Sequence, residues 1–314
     1  QMPTRSTTLA ALPVDADTRL QLARFDHSPA VDHAPIWACS VAEKLEQLIE
    51  EHRRGEDLLL AGLAPTRTAV FTGPPGVGKT LAATWVASQL GRPLITLDLA
   101  AAISSFLGRT GANVKNVLEY AKGVECVLLL DEIDALAKRR DDAHEVGELK
   151  RLVTVLLQEV DDWPAGGLLV AATNHPDLLD PAIWRRFEVR VEFPQPDVSE
   201  TRLAVLTFLG ADHAVPDMWV DVLTQIYAGR SFSDIERELL AVRRKALMSG
   251  RSLEDVLKDS ATGHVSRLNK NALKKLSVCL KSAGISQHEI SRLTGLSRDT
   301  IRAASADYPQ PSGN

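Results

Sequence analysis

Residues 73–80, with the sequence GPPGVGKT, carry the most specific chemical pattern in the chain. The spacing fits G-x-x-x-x-G-K-[ST], and the segment follows the apolar stretch TAVFT and precedes an apolar helical stretch. Glycines let such a loop curl until its N–H groups point at phosphate oxygens, and the helix N-terminus adds a positive dipole end. We expect Lys79 to reach the β- and γ-phosphates of a nucleotide and Thr80 to bind Mg²⁺. The predicted nucleotide-binding residues are Gly73, Pro74, Pro75, Gly76, Val77, Gly78, Lys79, Thr80, Leu81 and Asp131.

A second pattern, VLLLDEID at residues 127–134, is an apolar strand that ends in acidic side chains. We expect Asp131 to hold Mg²⁺ together with Thr80, directly or through water. Glu132 is expected to polarise the water that attacks the γ-phosphate. Solvated acids at the end of a strand are a common alternative, and this pattern alone would not decide between the two. The phosphate-binding loop upstream favours the catalytic interpretation.

Asn174 ends the next apolar strand, in the sequence AATN. Because ligands of parallel sheets bind at the C-terminal ends of the strands, Asn174 could contact the γ-phosphate or orient the attacking water. An Asx-turn that leaves the strand is the alternative, and by itself it is the simpler explanation.

Strands and helices alternate around these motifs and must position them. The five predicted strands are TAVFTG, PLITLDL, CVLLLD, GLLVAATN and VRVEF. Apolar strands separated by helices predict a parallel five-stranded sheet covered by helices on both faces. Together with the GPPGVGKT loop, this arrangement resembles the α/β fold of P-loop NTPases. A purely helical stretch follows the last strand and predicts a separate all-α domain.

The chain is predicted to divide into five segments. These are an N-terminal arm at 1–35 with one short helix near Thr18–Phe25, a large α/β subdomain at 36–197, a small helical subdomain at 198–263, a basic three-helix segment at 268–306 and a disordered tail at 307–314.

The motifs GPPGVGKT, LLLDEID, AATN and LDPAIWRRFEVRVEFPQPD occur in this order and together resemble an AAA ATPase of the AAA+ superfamily. The chain is similar over about residues 36–262 to the ATPase modules of katanin, spastin and the cell-division proteases. It also resembles bacterial AAA ATPases encoded beside subtilisin-like proteases. The resemblance implies ATP and Mg²⁺ as cofactors, a hexameric ring or spiral of identical subunits, and ATP bound between subunits. The helical subdomain at 198–263 then corresponds to the lid.

Arg185 and Arg186 lie where these ATPases carry arginines that act on the neighbouring subunit's nucleotide. A loose phosphoryl transition state needs cationic donors on the γ-phosphate oxygens, and a guanidinium offers a planar fork that lysine lacks. The resemblance therefore adds both arginines to the predicted catalytic residues Lys79, Glu132 and Asn174. Solvated cations at the C-terminal end of a short helix are the alternative.

Phe106, Leu107 and Gly108 match the aromatic–hydrophobic–glycine loop that faces the central pore in this family. The match implies a protein substrate that is threaded through the pore as an extended peptide. Without the resemblance, burial within a helix would be the preferred explanation of Phe106 and Leu107.

Residues 264–302 form a basic segment beyond the ATPase, with eight Lys or Arg residues against Glu289 and Asp299. The apolar spacing of GISQHEISRLTGLSRDTIRAA, with Gly295 at a turn, is typical of a helix-turn-helix. A three-helix module that docks a protein is the alternative. The candidate contacts with duplex DNA are Ser297, Arg298, Thr300 and Arg302 in the major groove, and Lys274, Lys275 and Lys281 on phosphates.

Composition bounds the remaining possibilities. The 314 residues are 45% hydrophobic and carry a net charge of -5, so the whole surface does not favour nucleic acid. Cys39, Cys126 and Cys279 lack the spacing of a zinc or disulfide framework, and we expect them to be reduced and buried. No apolar run approaches a membrane span and no secretory leader is apparent, so a cytoplasmic location without membrane contact is expected.

Two functional hypotheses follow. In the first, the chain is an ATP-driven protein remodeller or unfoldase that feeds a partner protease, because it carries neither H-E-x-x-H nor G-x-S-x-G. In the second, it is a DNA-associated ATPase that regulates transcription or maintains a plasmid or mobile element.

Overall fold

The structure is a computed structural model that describes residues 22–307 except 106–109, 139–145, 211–214, 216, 266–267 and 283. The chain divides between Pro194 and Gln195 into two compact units. The first unit contains the sheet, and the second is built from helices.

Six strands form one sheet in the first unit. They are β1 (Arg24–Asp26), β2 (Thr68–Thr72), β3 (Leu94–Asp98), β4 (Val127–Asp131), β5 (Leu168–Thr173) and β6 (Val189–Glu192). Their order across the sheet is β1-β3-β4-β5-β2-β6. The five predicted strands are confirmed and run parallel, whereas β1 is an additional edge strand that pairs antiparallel with β3.

Helices cover both faces of this sheet. They are α1 (Cys39–Arg53), α2 (Gly55–Leu60), α3 (Lys79–Leu90), α4 (Leu99–Ser105), α5 (Thr110–Lys122), α6 (Ala135–Lys138), α7 (Val146–Asp161) and α8 (Pro181–Trp184). Successive residues of β4 enter opposite cores, since Leu128 and Leu130 pack on one face and Val127 and Leu129 on the other. Burial on both faces explains why the strand is continuously apolar.

The strand register brings the polar strand ends to one edge of the sheet. Thr72 of β2 lies opposite Thr173 of β5, and Asp98 of β3 lies opposite Asp131 of β4. The loops that leave β2, β4 and β5 therefore start next to one another. This edge is where ligands of parallel sheets bind.

The second unit contains seven helices among the residues that the structure describes. They are α9 (Val198–Leu209), α10 (Asp217–Tyr227), α11 (Phe232–Ser249), α12 (Leu253–Val265), α13 (Lys270–Ser282), α14 (Gln287–Thr294) and α15 (Arg298–Asp307). Side chains define several of the helix starts: Asp197 and Glu200 form a capping box on α9, and Ser286 caps α14. This unit holds both the predicted lid and the predicted basic segment, and the division between those two stays a prediction.

Two sequence-based expectations are wrong. The short helix near Thr18–Phe25 is contradicted at its end, because Arg24 and Phe25 belong to β1, which gains backbone hydrogen bonds by pairing with β3. Cys39 is exposed rather than buried, because it begins α1 on the solvent side, whereas Cys126 is buried as expected. The remainder of the predicted arm and the tail from residue 308 lie outside the described residues.

Within the described part of the chain, no helix is both long enough and apolar enough to cross a bilayer.

Candidate functional site

The phosphate-binding loop connects β2 to α3, and two of its glycines are required by space as well as by backbone conformation. Gly73 has φ 145° and Gly78, the N-cap of α3, has φ 96°. A Cβ atom added at Gly73 would lie 2.2 Å from the carbonyl oxygen of Phe193. A Cβ added at Gly78 would lie 2.8 Å from ring atom Cζ3 of Trp37. The phosphate-binding loop therefore packs closely against Phe193 at its first residue and against Trp37 near its end.

An aromatic chain supports the loop from the side of α3. The ring centroids of Trp37 and Phe193 are 6.0 Å apart, and those of Phe193 and Phe71 are 5.3 Å apart. Phe71 is fully buried in β2 and so anchors this row of aromatic rings in the core. Sequence analysis did not assign Trp37 or Phe193 to the loop, because both lie far from it in sequence; Phe193 was seen only as the end of the predicted strand VRVEF.

The Lys79 side chain points back into the loop and is only 7% exposed. Its Nζ donates hydrogen bonds to the backbone oxygens of Gly73 at 2.7 Å and Pro74 at 2.8 Å. A third bond runs to Oδ1 of Asn174 at 2.8 Å. Lys79 begins α3 and Asn174 follows β5, so the structure brings these two sequence-predicted residues into direct contact.

Burial also changes the acidity of this lysine. It lowers the pKa of Lys79 to about 8, and the negative charges of Asp131 and Asp134 only partly oppose the effect. Contact with phosphate oxygens strongly stabilises an ammonium group that has lost much of its hydration, because its surroundings screen charge weakly. The site is therefore suited to a highly charged anion.

Thr80 and Asp131, the predicted metal ligands, are in contact. Oγ1 of Thr80 donates a hydrogen bond to Oδ2 of Asp131 at 3.1 Å, and the backbone N–H of Glu132 donates to Oδ1 at 3.0 Å. Among the described residues, no group of three or more His, Cys, Asp or Glu side chains could hold a metal ion. One hydroxyl and one carboxylate suit Mg²⁺, which commonly takes its other ligands from nucleotide phosphates and water.

Glu132 has an unusual backbone conformation. Its φ is 55°, and it is the one non-glycine residue with positive φ in the part of the chain that the structure describes. This left-handed conformation costs about 1–2 kcal/mol for an L-residue and concentrates at functional sites. The turn leaves the side chain exposed at the edge of the sheet, where it can reach water.

Asp134 has a role that sequence analysis did not assign. It is 1% exposed and accepts a hydrogen bond at Oδ1 from Oγ1 of Thr173 at 2.9 Å. The same hydroxyl accepts a bond from the backbone N–H of His175 at 3.0 Å. These bonds tie the acidic turn after β4 to the end of β5, beside Asn174. The second aspartate of the sequence DEID, which is Asp134, was the only feature of the motif that could have indicated this role.

Arg185 and Arg186 follow α8 and are both exposed. Arg186 forms an ion pair with Asp161 at the end of α7, and no described residue bonds the Arg185 side chain. Neither guanidinium contacts Lys79 or Asp131 among the described residues. The structure therefore assembles the predicted catalytic residues of the loop and strands without these two arginines.

The remaining predicted site residues lie in three other parts of the chain. Phe106, Leu107 and Gly108 lie outside the described residues, so the pore loop stays a prediction. Leu81 is exposed on the first turn of α3, whereas the side chain of Val77 is buried in the core. The proposed DNA-contacting residues belong to the second unit.

Comparison with known proteins identifies the family. The profile of the "ATPase family associated with various cellular activities (AAA)" matches residues 69–195. The chain belongs to the AAA family of ATPases. The matched range includes the phosphate-binding loop, Asp131, Glu132, Asn174 and both arginines, and the family's nucleotide is ATP with Mg²⁺.

The curated relatives of this AAA chain include an uncharacterized AAA family ATPase, y4kL, of Sinorhizobium fredii, with 37% identity over 68% of this chain and 66% of the relative. The ATP-dependent zinc metalloprotease FtsH 3 of Symbiobacterium thermophilum is 32% identical over 69% of this chain and 37% of its own length. The proteasome-activating nucleotidase of Methanocaldococcus jannaschii is 34% identical over 64% and 48% respectively. The chain thus spans between about a third and two thirds of these relatives.

Proposed function

We propose that this AAA chain assembles into a ring or spiral oligomer, hydrolyses Mg²⁺–ATP at sites shared between neighbouring subunits, and uses the cycle to remodel or unfold a protein. Lys79, Thr80, Asp131, Glu132 and Asn174 form one half of each site. Arg185 and Arg186 of the adjacent subunit form the other half.

The position of the arginines is the observation that carries this proposal. The side chains of Lys79, Thr80, Asp131 and Asn174 and the turn at Glu132 converge on one sheet edge, and neither Arg185 nor Arg186 bonds any of them among the described residues. Arg185 is exposed and has no polar partner among the described residues. Its guanidinium can therefore bind a second molecule without first breaking an ion pair within its own subunit. A second copy that contributes Arg185 and Arg186 would complete the charge that phosphoryl transfer requires.

The residues divide the hydrolysis step between them. Lys79 holds the β- and γ-phosphates, and Thr80 and Asp131 would hold Mg²⁺, which neutralises phosphate charge when bound. Glu132 accepts the proton of a water as its oxygen bonds to the γ-phosphorus. The bond from the γ-phosphorus to the bridging oxygen breaks, and ADP and phosphate result. Asn174 accepts a hydrogen bond from Lys79, and in this proposal it orients the water.

Protein remodelling is supported by the relatives and by the pore-loop match. One relative is named an ATP-dependent zinc metalloprotease, and another is named a proteasome-activating nucleotidase. Phe106 is proposed to grip an extended peptide without reading its sequence, and a separate protease is proposed to receive it. A hexamer is the proposed stoichiometry.

The test combines assembly with threading. Glu132→Gln should bind ATP without hydrolysing it and should accumulate as an oligomer in sedimentation velocity, whereas the same variant without nucleotide should not. Casein should stimulate the ATPase of the wild-type chain, and Phe106→Ala should lose that stimulation while it keeps the basal rate. A chain that stays monomeric with saturating ATP yet hydrolyses it at the wild-type rate would refute shared sites. Equal stimulation of both proteins by casein would refute threading by Phe106.

A further inference from the structure

The last two helices of the second unit are joined by a short turn and packed through regularly spaced side chains. Gly295 adopts φ 70° and is followed by Leu296 and Ser297 before α15 begins. Five side chains around this turn are less than a tenth exposed, and they are Ile290, Thr294, Leu296, Ile301 and Ala304. Two helices joined by a three-residue turn, with these buried side chains between them, have the arrangement of a helix-turn-helix. In that motif the outer side of the second helix faces solvent and can enter a DNA groove.

The outer side of α15 carries exposed cations. Arg298 and Arg302 are exposed, lie one helical turn apart, and form no ion pair with any described residue. Ser297 and Thr300 are occupied instead, because the Ser297 hydroxyl caps the N–H of Thr300 at 3.2 Å and lies 2.8 Å from its hydroxyl. The structure therefore separates the four predicted contacts into two exposed cations, Arg298 and Arg302, and a Ser297–Thr300 pair that caps the start of α15.

Charge and polarity of α13–α15 distinguish between possible partners. Lys270, Lys275 and Lys281 are also exposed. No large hydrophobic side chain is exposed among the described residues from 270 to 307, whereas several are exposed elsewhere in the chain. Protein-docking surfaces rely on a desolvated apolar centre, and nucleic-acid surfaces rely on positive charge with polar contacts. The surface fits duplex DNA better than protein.

We infer that the module formed by α13–α15 binds duplex DNA, with α15 in the major groove and with Arg298 and Arg302 on base edges or phosphates. The ten residues of α15 span about 15 Å, and the groove, about 12 Å wide, admits a single helix. This inference is independent of the proposed function, since none of these residues belongs to the ATPase site. If the chain assembles as proposed, several such modules on one oligomer would bind one duplex with increased avidity.

The test uses the full chain and a fluorescein-labelled mixed-sequence duplex of 30 base pairs, with anisotropy measured at 50, 100 and 200 mM KCl. Wild-type affinity should fall steeply with salt, by about 0.9 in log–log slope for each phosphate contacted. Arg298→Ala/Arg302→Ala should weaken binding at least tenfold at 50 mM KCl and should reduce the slope by up to about 2. Its ATPase rate should equal that of the wild-type chain.

A matched control separates location from net charge. Arg244 and Lys245 are exposed on α11 in the same unit, and Arg244→Ala/Lys245→Ala removes the same two charges. This control should bind the duplex within about twofold of the wild-type chain. The inference is overturned if the wild-type chain does not bind the duplex at 50 mM KCl, or if both double variants lose affinity equally. It is also overturned if Arg298→Ala/Arg302→Ala leaves DNA affinity intact and instead abolishes stimulation of the ATPase by casein, which would assign the surface to protein.

Discussion

Substitution of Arg185 and Arg186 separates a shared active site from a self-contained one. Removal of an arginine that acts on the transferring phosphoryl group lowers the rate by about 10³–10⁵-fold. The fold should hardly respond, because Arg185 has no polar partner among the described residues. Replacement of Arg186 removes one half-exposed ion pair with Asp161, which contributes about 0–1 kcal/mol to the free energy of unfolding. The expected change in Tm is therefore at most about 2–4 °C.

Complementation supplies the decisive assay. Arg185→Ala/Arg186→Ala keeps Lys79 and Glu132 but cannot assist its neighbour, whereas Glu132→Gln keeps both arginines but cannot activate water. Each variant alone should be nearly inactive in a phosphate-release assay. If the two are mixed equally and exchange subunits at random, about a quarter of the head-to-tail interfaces unite an intact half-site of each kind. The mixture should recover up to about a quarter of the wild-type rate per site.

Two results would refute this reasoning. A mixture that co-assembles, as shown by co-purification of differently tagged subunits, but recovers no activity would place the arginines in their own subunit's site. Full activity of Arg185→Ala/Arg186→Ala would remove them from catalysis. Arg54→Ala is the matched control, because Arg54 also forms an exposed ion pair, with Asp57, and should change neither the rate nor the assembly.

Three further predictions concern the interior of the site. The affinity for ADP should decline as pH rises above about 8, because Lys79, with its pKa near that value, is then neutral before the phosphates bind, and isothermal titration between pH 7 and 9.5 would measure the decline. Gly78→Ala should destabilise the chain by about 1–3 kcal/mol in thermal unfolding, since φ 96° and contact with Trp37 both oppose a Cβ. Thr173→Val should lower Tm by about 3–12 °C, because the buried Asp134 loses a charge-assisted hydrogen bond of about 1.5–3 kcal/mol.

Each of these predictions has its own control. Lys79→Arg stays charged over the whole range, so a flat pH profile for both proteins would contradict the protonation argument. In a Trp37→Ala background, Gly78→Ala should cost less, and an unchanged cost would exclude contact with the ring as a cause. Thr173→Ser retains the hydroxyl and should restore most of the lost stability, whereas a loss equal to that of the valine variant would point to packing alone.

Local patterns predicted most of the polar strand ends at the candidate site and all five parallel strands. The phosphate-binding loop is recognisable because tight turns with positive φ need glycine at particular positions, and those requirements are written into adjacent residues. Strands buried on both faces must be continuously apolar, so VLLLDEID identified both its strand and the acidic end. The strand β1 escaped prediction because three residues at a sheet edge carry too little periodicity to be seen.

The sequence by itself determined which residues are candidates to bind nucleotide and metal, since the loop and the strand ends are short-range features that the chain must build locally. Only the tertiary structure decided that Asn174 holds Lys79, that Trp37 and Phe193 close on the two ends of the loop, that Asp134 is tied to Thr173, and that Arg186 rests against Asp161. These contacts join residues from different strands and helices. Their physical reason is the order of strands across the sheet and the lateral packing of helices, and neither is encoded in any one segment.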